Sequence, residues 1–164
     1  MGIELASDTP RDTRAIGEAI AGLLRSGDAL ALTGELGAGK TTLVKGLAAG
    51  LGYPGPVASP TFTLVREYRG GRLDVLHVDV YRLDRVQDVL DLGLDDALAD
   101  GRAVLVVEWG DAVEGLLPPD HLVAELVMAG PDERRRIAIR PVGTTWRDRI
   151  ERLEQALERW EAGS

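Results

Sequence analysis

Residues 28–51 read DALALTGELGAGKTTLVKGLAAGL, and their pattern decides the fold. Ala29–Thr33 is an apolar run with the length of a buried strand. Three glycines follow; then Leu43, Leu47, Ala48 and Leu51 recur with helical period, and Gly52 is placed to stop a helix. Gly34, Gly39, Lys40 and Thr41 meet the spacing G-x-x-x-x-G-K-[ST] within the strand–loop–helix context that the motif requires. Glycines let the backbone curl until its N–H groups point inward, and the helix adds the positive end of its dipole. The stretch Glu35, Leu36, Gly37, Ala38, Gly39, Lys40, Thr41 and Thr42 is therefore expected to cradle the phosphates of a nucleoside triphosphate. Lys40 would neutralise the β- and γ-phosphates, and the Thr41 hydroxyl would ligate Mg²⁺. Of the 19 basic residues only two are lysines, one of them Lys40, so a compact ammonium is kept where a planar guanidinium would not serve. Since Lys40 is expected to face solvent in an empty site, Lys40→Ala should abolish triphosphate binding with little loss of fold.

At 164 residues the chain is expected to form one P-loop domain, 1–164, with a C-terminal helix at about 145–160 appended. It has no apolar run of about 18 residues, the minimum for a membrane-spanning helix. The acidic N-terminus lacks the plan of a signal peptide, so a cytoplasmic location is expected. Zero cysteines exclude disulfides, thiolate zinc sites and cysteine nucleophiles. A net charge of −8 makes the chain a poor general binder of phosphate backbones, so any nucleic acid in its biology would be gripped by another protein.

Along the chain, Ile3–Ala6 reads as an edge strand. Thr9 and Pro10 read as the cap and first residue of a helix that Gly27 ends. After the breaker cluster YPGPVASP, the runs Thr61–Tyr68 and Leu73–Tyr81 around Gly70-Gly71 predict a hairpin whose second arm is central. Asp84–Ala99 predicts one or two short acidic helices, and Ala103–Val107 a buried strand. Ala112–Leu117 reads as a helical turn, and His121–Met128 with Arg135–Arg140 as antiparallel strands. Thr145–Trp160 has the stripe of an amphipathic helix. The class is α/β, a P-loop NTPase with a mixed, mainly parallel sheet flanked by helices.

Ligands of such sheets sit beyond the carboxyl ends of the parallel strands. Glu108 follows the apolar run as a metal-shell acid should, and Asp79 in HVDVY is a second acid for the nucleotide site. Ser59 and Thr61 lie where a loop hydroxyl can sense a γ-phosphate and Mg²⁺, or simply turn the chain before a strand. His77 reads as a satisfied core or sheet-face histidine, Trp109 as a core residue or a stacking platform, and Arg134 as a solvated charge or a nucleotide contact. No N-K-x-D motif is present, which favours ATP over GTP.

GELGAGKTT, SPTFTLV, HVDVYRL and VEWGD, in this order in a chain of this size, closely resemble the TsaE (YjeE) family. The resemblance implies a weak, Mg²⁺-dependent ATPase of bacterial tRNA threonylcarbamoyladenosine biosynthesis. Such a protein docks on the TsaB–TsaD heterodimer and resets it between cycles, with tRNA held elsewhere. It also implies that Lys40 and Thr41 serve phosphate and Mg²⁺, that Glu108 is the second Mg²⁺ residue, and that Asp79 is needed for ATP hydrolysis. Ser59-Pro60-Thr61 matches a switch-like loop, and Trp109 the tryptophan beside the metal acid. The competing readings are a P-loop small-molecule kinase and a module that holds nucleotide without hydrolysing it.

Overall fold

The structure, a computed structural model, describes residues 2–35, 37–58, 65–79, 101–108 and 117–163. Its strands are β1 (Ile3–Ser7), β2 (Ala29–Thr33), β3 (Val65–Tyr68), β4 (Asp74–Asp79), β5 (Ala103–Glu108), β6 (His121–Met128) and β7 (Arg135–Val142). Helices α1 (Pro10–Ala21), α2 (Lys40–Gly50) and α3 (Ile150–Leu157) accompany them, with a 3₁₀ turn at Glu158–Trp160. One seven-stranded sheet runs in the order β1-β7-β6-β2-β5-β4-β3. The four central strands β6, β2, β5 and β4 are parallel, while β1/β7, β6/β7 and β3/β4 are antiparallel. This is the expected mixed α/β sheet, with the P-loop strand at its centre.

Strand alternation sorts the core into two faces. Leu30, Leu32, Val104, Val106, Leu122 and Ala124 meet the helices, whereas Ala29, Ala31, Leu105, Val107 and Val123 turn to the opposite face. By the same period His77, Asp79 and Glu108 stand on the face of Val75, Val104 and Val106, the one that α2 covers.

α1 is capped as predicted: the Thr9 hydroxyl accepts from the Asp12 amide at 3.1 Å, and Pro10 opens the helix. It stops at Ala21 rather than near Gly27. Past Gly22 two amides bond three residues back, Leu23 to Ile20 and Leu24 to Ala21, a tightening of the last turn. Only glycine allows α1 and α2 to cross as closely as they do. A Cβ on Gly46 would lie 2.0 Å from the Arg14 carbonyl oxygen, and one on Gly17 2.4 Å from that of Leu43. An exposed helical Gly→Ala change stabilises by about 1 kcal/mol. Here Gly46→Ala should instead destabilise by about 3 kcal/mol, the upper end for over-packing, because backbone cannot yield as a side chain does. Urea unfolding checks the sign; an unchanged or raised midpoint would contradict the close crossing.

The C-terminal helix is shorter than its stripe predicts. Residues 144–149 wind as turns, with Arg147 bonding Thr144 and Arg149 bonding Trp146, and α3 begins only at Ile150. Asp120 explains the late start, since it accepts from the Thr144 amide at 3.3 Å and from the Thr145 hydroxyl at 2.7 Å. The predicted acidic helices, the helical turn from Ala112 except for Leu117, and the first arm of the hairpin before Val65 lie outside the described residues.

Candidate functional site

The loop between β2 and α2 has the backbone that its glycines predict. Gly34, Gly37 and Gly39 adopt φ of 146°, 84° and 105°, a region other residues rarely enter. Gly39 is the N-cap of α2 and contributes no side-chain acceptor, so the amides of the first helical turn remain available to an anion. Gly34 has a second reason to be glycine: a Cβ there would lie 2.5 Å from the Leu126 carbonyl oxygen.

Lys40 corrects an expectation. It does not face solvent, being only 6% exposed. Its ammonium donates to the Gly34 carbonyl at 2.5 Å and to that of Glu35 at 3.3 Å, bracing the loop from within. Burial lowers its pKa, and the negative charges of Glu108 and Asp79 push it back up. The cation and the two acids thus share one small volume.

Glu108 and Asp79 end neighbouring parallel strands and are register partners across β4 and β5; Glu108 also pairs with Leu32 of the P-loop strand. They are 3% and 8% exposed. The sheet therefore brings both predicted acids to the P-loop, as the rule of carboxyl ends requires. Among the described residues no three His, Asp or Glu side chains converge into an all-protein metal cage. A hard carboxylate at a strand end and the Thr41 hydroxyl in the first turn of α2 are the donors that suit Mg²⁺, which takes few protein oxygens and fills its shell with phosphate and water. The residues present fit that ion.

His77 is fully buried, as a core histidine would be, yet it does more than fill space. Its Nε2 lies 2.8 Å from Glu108 Oε2, and its Nδ1 2.9 Å from the Tyr68 hydroxyl. That hydroxyl also lies 2.9 Å from the Ala58 carbonyl oxygen. Burial raises the Tyr68 pKa, which keeps the phenol protonated. With Glu108 a carboxylate, Nε2–H donates to it, and the single Tyr68 proton serves Ala58 or Nδ1. His121, by contrast, only places Nδ1 2.9 Å from the Pro118 carbonyl at a strand start.

Among the three arginines at and just before the start of β7, Arg134 and Arg135 divide the work in a way the sequence does not reveal. Arg134 is exposed and closes the turn on Asp132. Arg135 reaches back instead, donating to the carbonyls of Ala38 and Gly37, each at 3.2 Å, while also holding those of Asp132 and Arg134. It ties the loop to β7 by the carbonyl side, which favours amides facing the other way. Leu36, Ser59, Thr61 and Trp109 lie outside the described residues.

The profile of the family described as "Threonylcarbamoyl adenosine biosynthesis protein TsaE" matches residues 7–137. A Bacillus subtilis protein named tRNA threonylcarbamoyladenosine biosynthesis protein TsaE is 42% identical over 146 residues, covering 89% of this chain and 90% of that one. The Streptomyces coelicolor protein of the same name is 43% identical over 139 residues, covering 81% and 93%. The crystal structure of Bacillus subtilis YdiB superposes with a TM-score of 0.80 at 37% identity, over 94% of this chain and 95% of that one.

Proposed function

The chain belongs to the TsaE family, and from that premise we propose that it is a Mg²⁺-dependent ATPase of tRNA N6-threonylcarbamoyladenosine biosynthesis. It docks on a TsaB–TsaD pair and resets that pair between catalytic cycles. Residues 1–164 act as one domain in the cytoplasm. The observation that carries the reading is the meeting of Lys40, Asp79 and Glu108 at the glycine loop, with both carboxylates buried and in register.

The amides of residues 35–42 and the Lys40 ammonium bind the phosphates, the ammonium exchanging two loop carbonyls for phosphate oxygens. Thr41 and Glu108 hold Mg²⁺, which supplies neutralising charge to the phosphate oxygens when bound. Asp79, at the end of the next strand, orients the attacking water. Ser59 and Thr61 report the γ-phosphate, Trp109 packs beside the metal acid, and Arg134 contacts the nucleotide from the β6–β7 turn. Contact with tRNA is indirect, in keeping with the net charge of −8. No described helix is long and apolar enough to cross a membrane.

The test is ATP hydrolysis by the full chain with and without TsaB–TsaD. Slow turnover alone and a several-fold change with the pair are expected. No binding to the pair and no change in rate would overturn the proposal, and phosphate transfer to a metabolite would move the reading to a kinase.

A further inference from the structure

Resting on the reading of Glu108 as a metal-shell carboxylate, the geometry points to His77 as a positioning residue that fixes this carboxylate and joins it through Tyr68 to the backbone of Ala58. His77 sits on β4 opposite Val106 of β5, two residues before Glu108 on the same face of the sheet. Its ring therefore reaches diagonally to the acid, and the 2.8 Å contact to Oε2 is made with both side chains buried. His77 shares the helix-covered face of the sheet with Val75 and Val106, and a buried imidazole there needs a partner for each ring nitrogen. Here Nε2 meets the acid, and Nδ1 stands 2.9 Å from a phenol whose one proton it shares with the Ala58 carbonyl.

A glutamate at a strand end keeps torsional freedom that a metal ligand must lose, and a neighbour bonding one oxygen removes it in advance. Hydrogen-bond partners of this kind orient metal ligands, and their loss typically lowers metal affinity or activity about 10–100-fold.

Tyr68 extends the connection. Its ring stands 5.1 Å from that of Tyr53, and its hydroxyl meets Ala58, so it holds the irregular stretch 53–58 at both ends. The Glu108 carboxylate is thus linked over two side chains to a stretch whose Tyr53 amide bonds the Ala48 carbonyl of α2. His77 is the residue that joins the metal-shell acid to that stretch.

Two near-isosteric variants separate this role from packing. In His77→Asn the amide replaces Nδ1 and reaches Tyr68 only, whereas in His77→Gln it replaces Nε2 and reaches Glu108. Mn²⁺ uptake by the ADP-loaded full chain, followed by electron paramagnetic resonance, reads the metal shell without turnover. Half-saturating Mn²⁺ should rise about 10–100-fold in His77→Asn and stay within about threefold of wild type in His77→Gln. ADP binding in the presence of EDTA should be the same in both. Tyr68→Phe should leave Mn²⁺ uptake nearer to wild type than His77→Asn does, while amide exchange across 53–58 accelerates. Equal Mn²⁺ affinity in the Asn and Gln variants, or an unshifted Asn variant, would overturn the role of His77. Wild-type protein that takes up no Mn²⁺ with ADP would instead overturn the reading of Glu108 itself.

Discussion

Arg149→Ala is expected to lower the melting temperature by roughly 6–20 °C, from a loss of about 3–5 kcal/mol at about 2–4 °C per kcal/mol for a chain of this size. Arg149 is 1% exposed and grips Asp28 with two bonds of 2.6 and 3.0 Å. It also donates to the Leu23 carbonyl at 2.9 Å, and its guanidinium carbon lies 3.9 Å above the Trp146 ring. One side chain thereby joins the turn after α1, the start of β2 and the entry to α3. Without it, the Asp28 carboxylate is left buried with the Arg25 amide still donating to it at 2.7 Å. Stranding a buried charge costs more than the pair itself contributes, which is why single replacement is so damaging. Arg149→Lys should recover little, since a point charge cannot make the two-pronged contact or lie flat on tryptophan. Asp28 stands at the opposite end of β2 from the glycine loop, so ATP affinity measured well below the transition should be unaltered. A melting temperature within about 2 °C of wild type would refute the clamp.

Lys40→Ala should weaken binding of Mg·ATP on the order of 100-fold or more, the loss of charge-assisted bonds of about 1.5–3 kcal/mol each to the phosphates. In the empty protein its ammonium braces Gly34 and Glu35, so the variant should also lose about 1–2 kcal/mol of stability, the net worth of two such bonds. The sequence alone implies no such loss. Lys40→Arg should fail to restore binding, because a planar fork does not fit inside a loop curled around an ammonium. Isothermal titration gives the affinity and a melt without nucleotide gives the stability. Unchanged affinity would remove this loop as the phosphate site, and the proposed ATPase activity with it.

Much of this protein was legible from one dimension because its signals are local. The G-x-x-x-x-G-K-T spacing, the Thr9-Pro10 helix start, the Gly70-Gly71 hairpin and the apolar run ending in Glu108 each act over a few residues. Backbone geometry is decided over that same range. The misplaced boundaries have distant causes: α3 starts late because Asp120 holds Thr144 and Thr145, from 24 and 25 residues away.

The acids at the strand ends were visible as residue types, but their meeting with each other and with Lys40 required the strand order, in which β4 lies beside β5 and β5 beside β2. Nothing near His77 in sequence points to Glu108, 31 residues on, and nothing distinguishes Arg135 from Arg134 until the chain folds back on the loop. Sequence by itself determined the glycine loop, the α/β class and the acids available to the site, because glycine freedom, hydrophobic period and residue chemistry are properties of short segments. Tertiary structure alone decided which side chains hold one another, because a buried charge or ring takes its partner from whatever strand or turn the packing brings within about 3 Å.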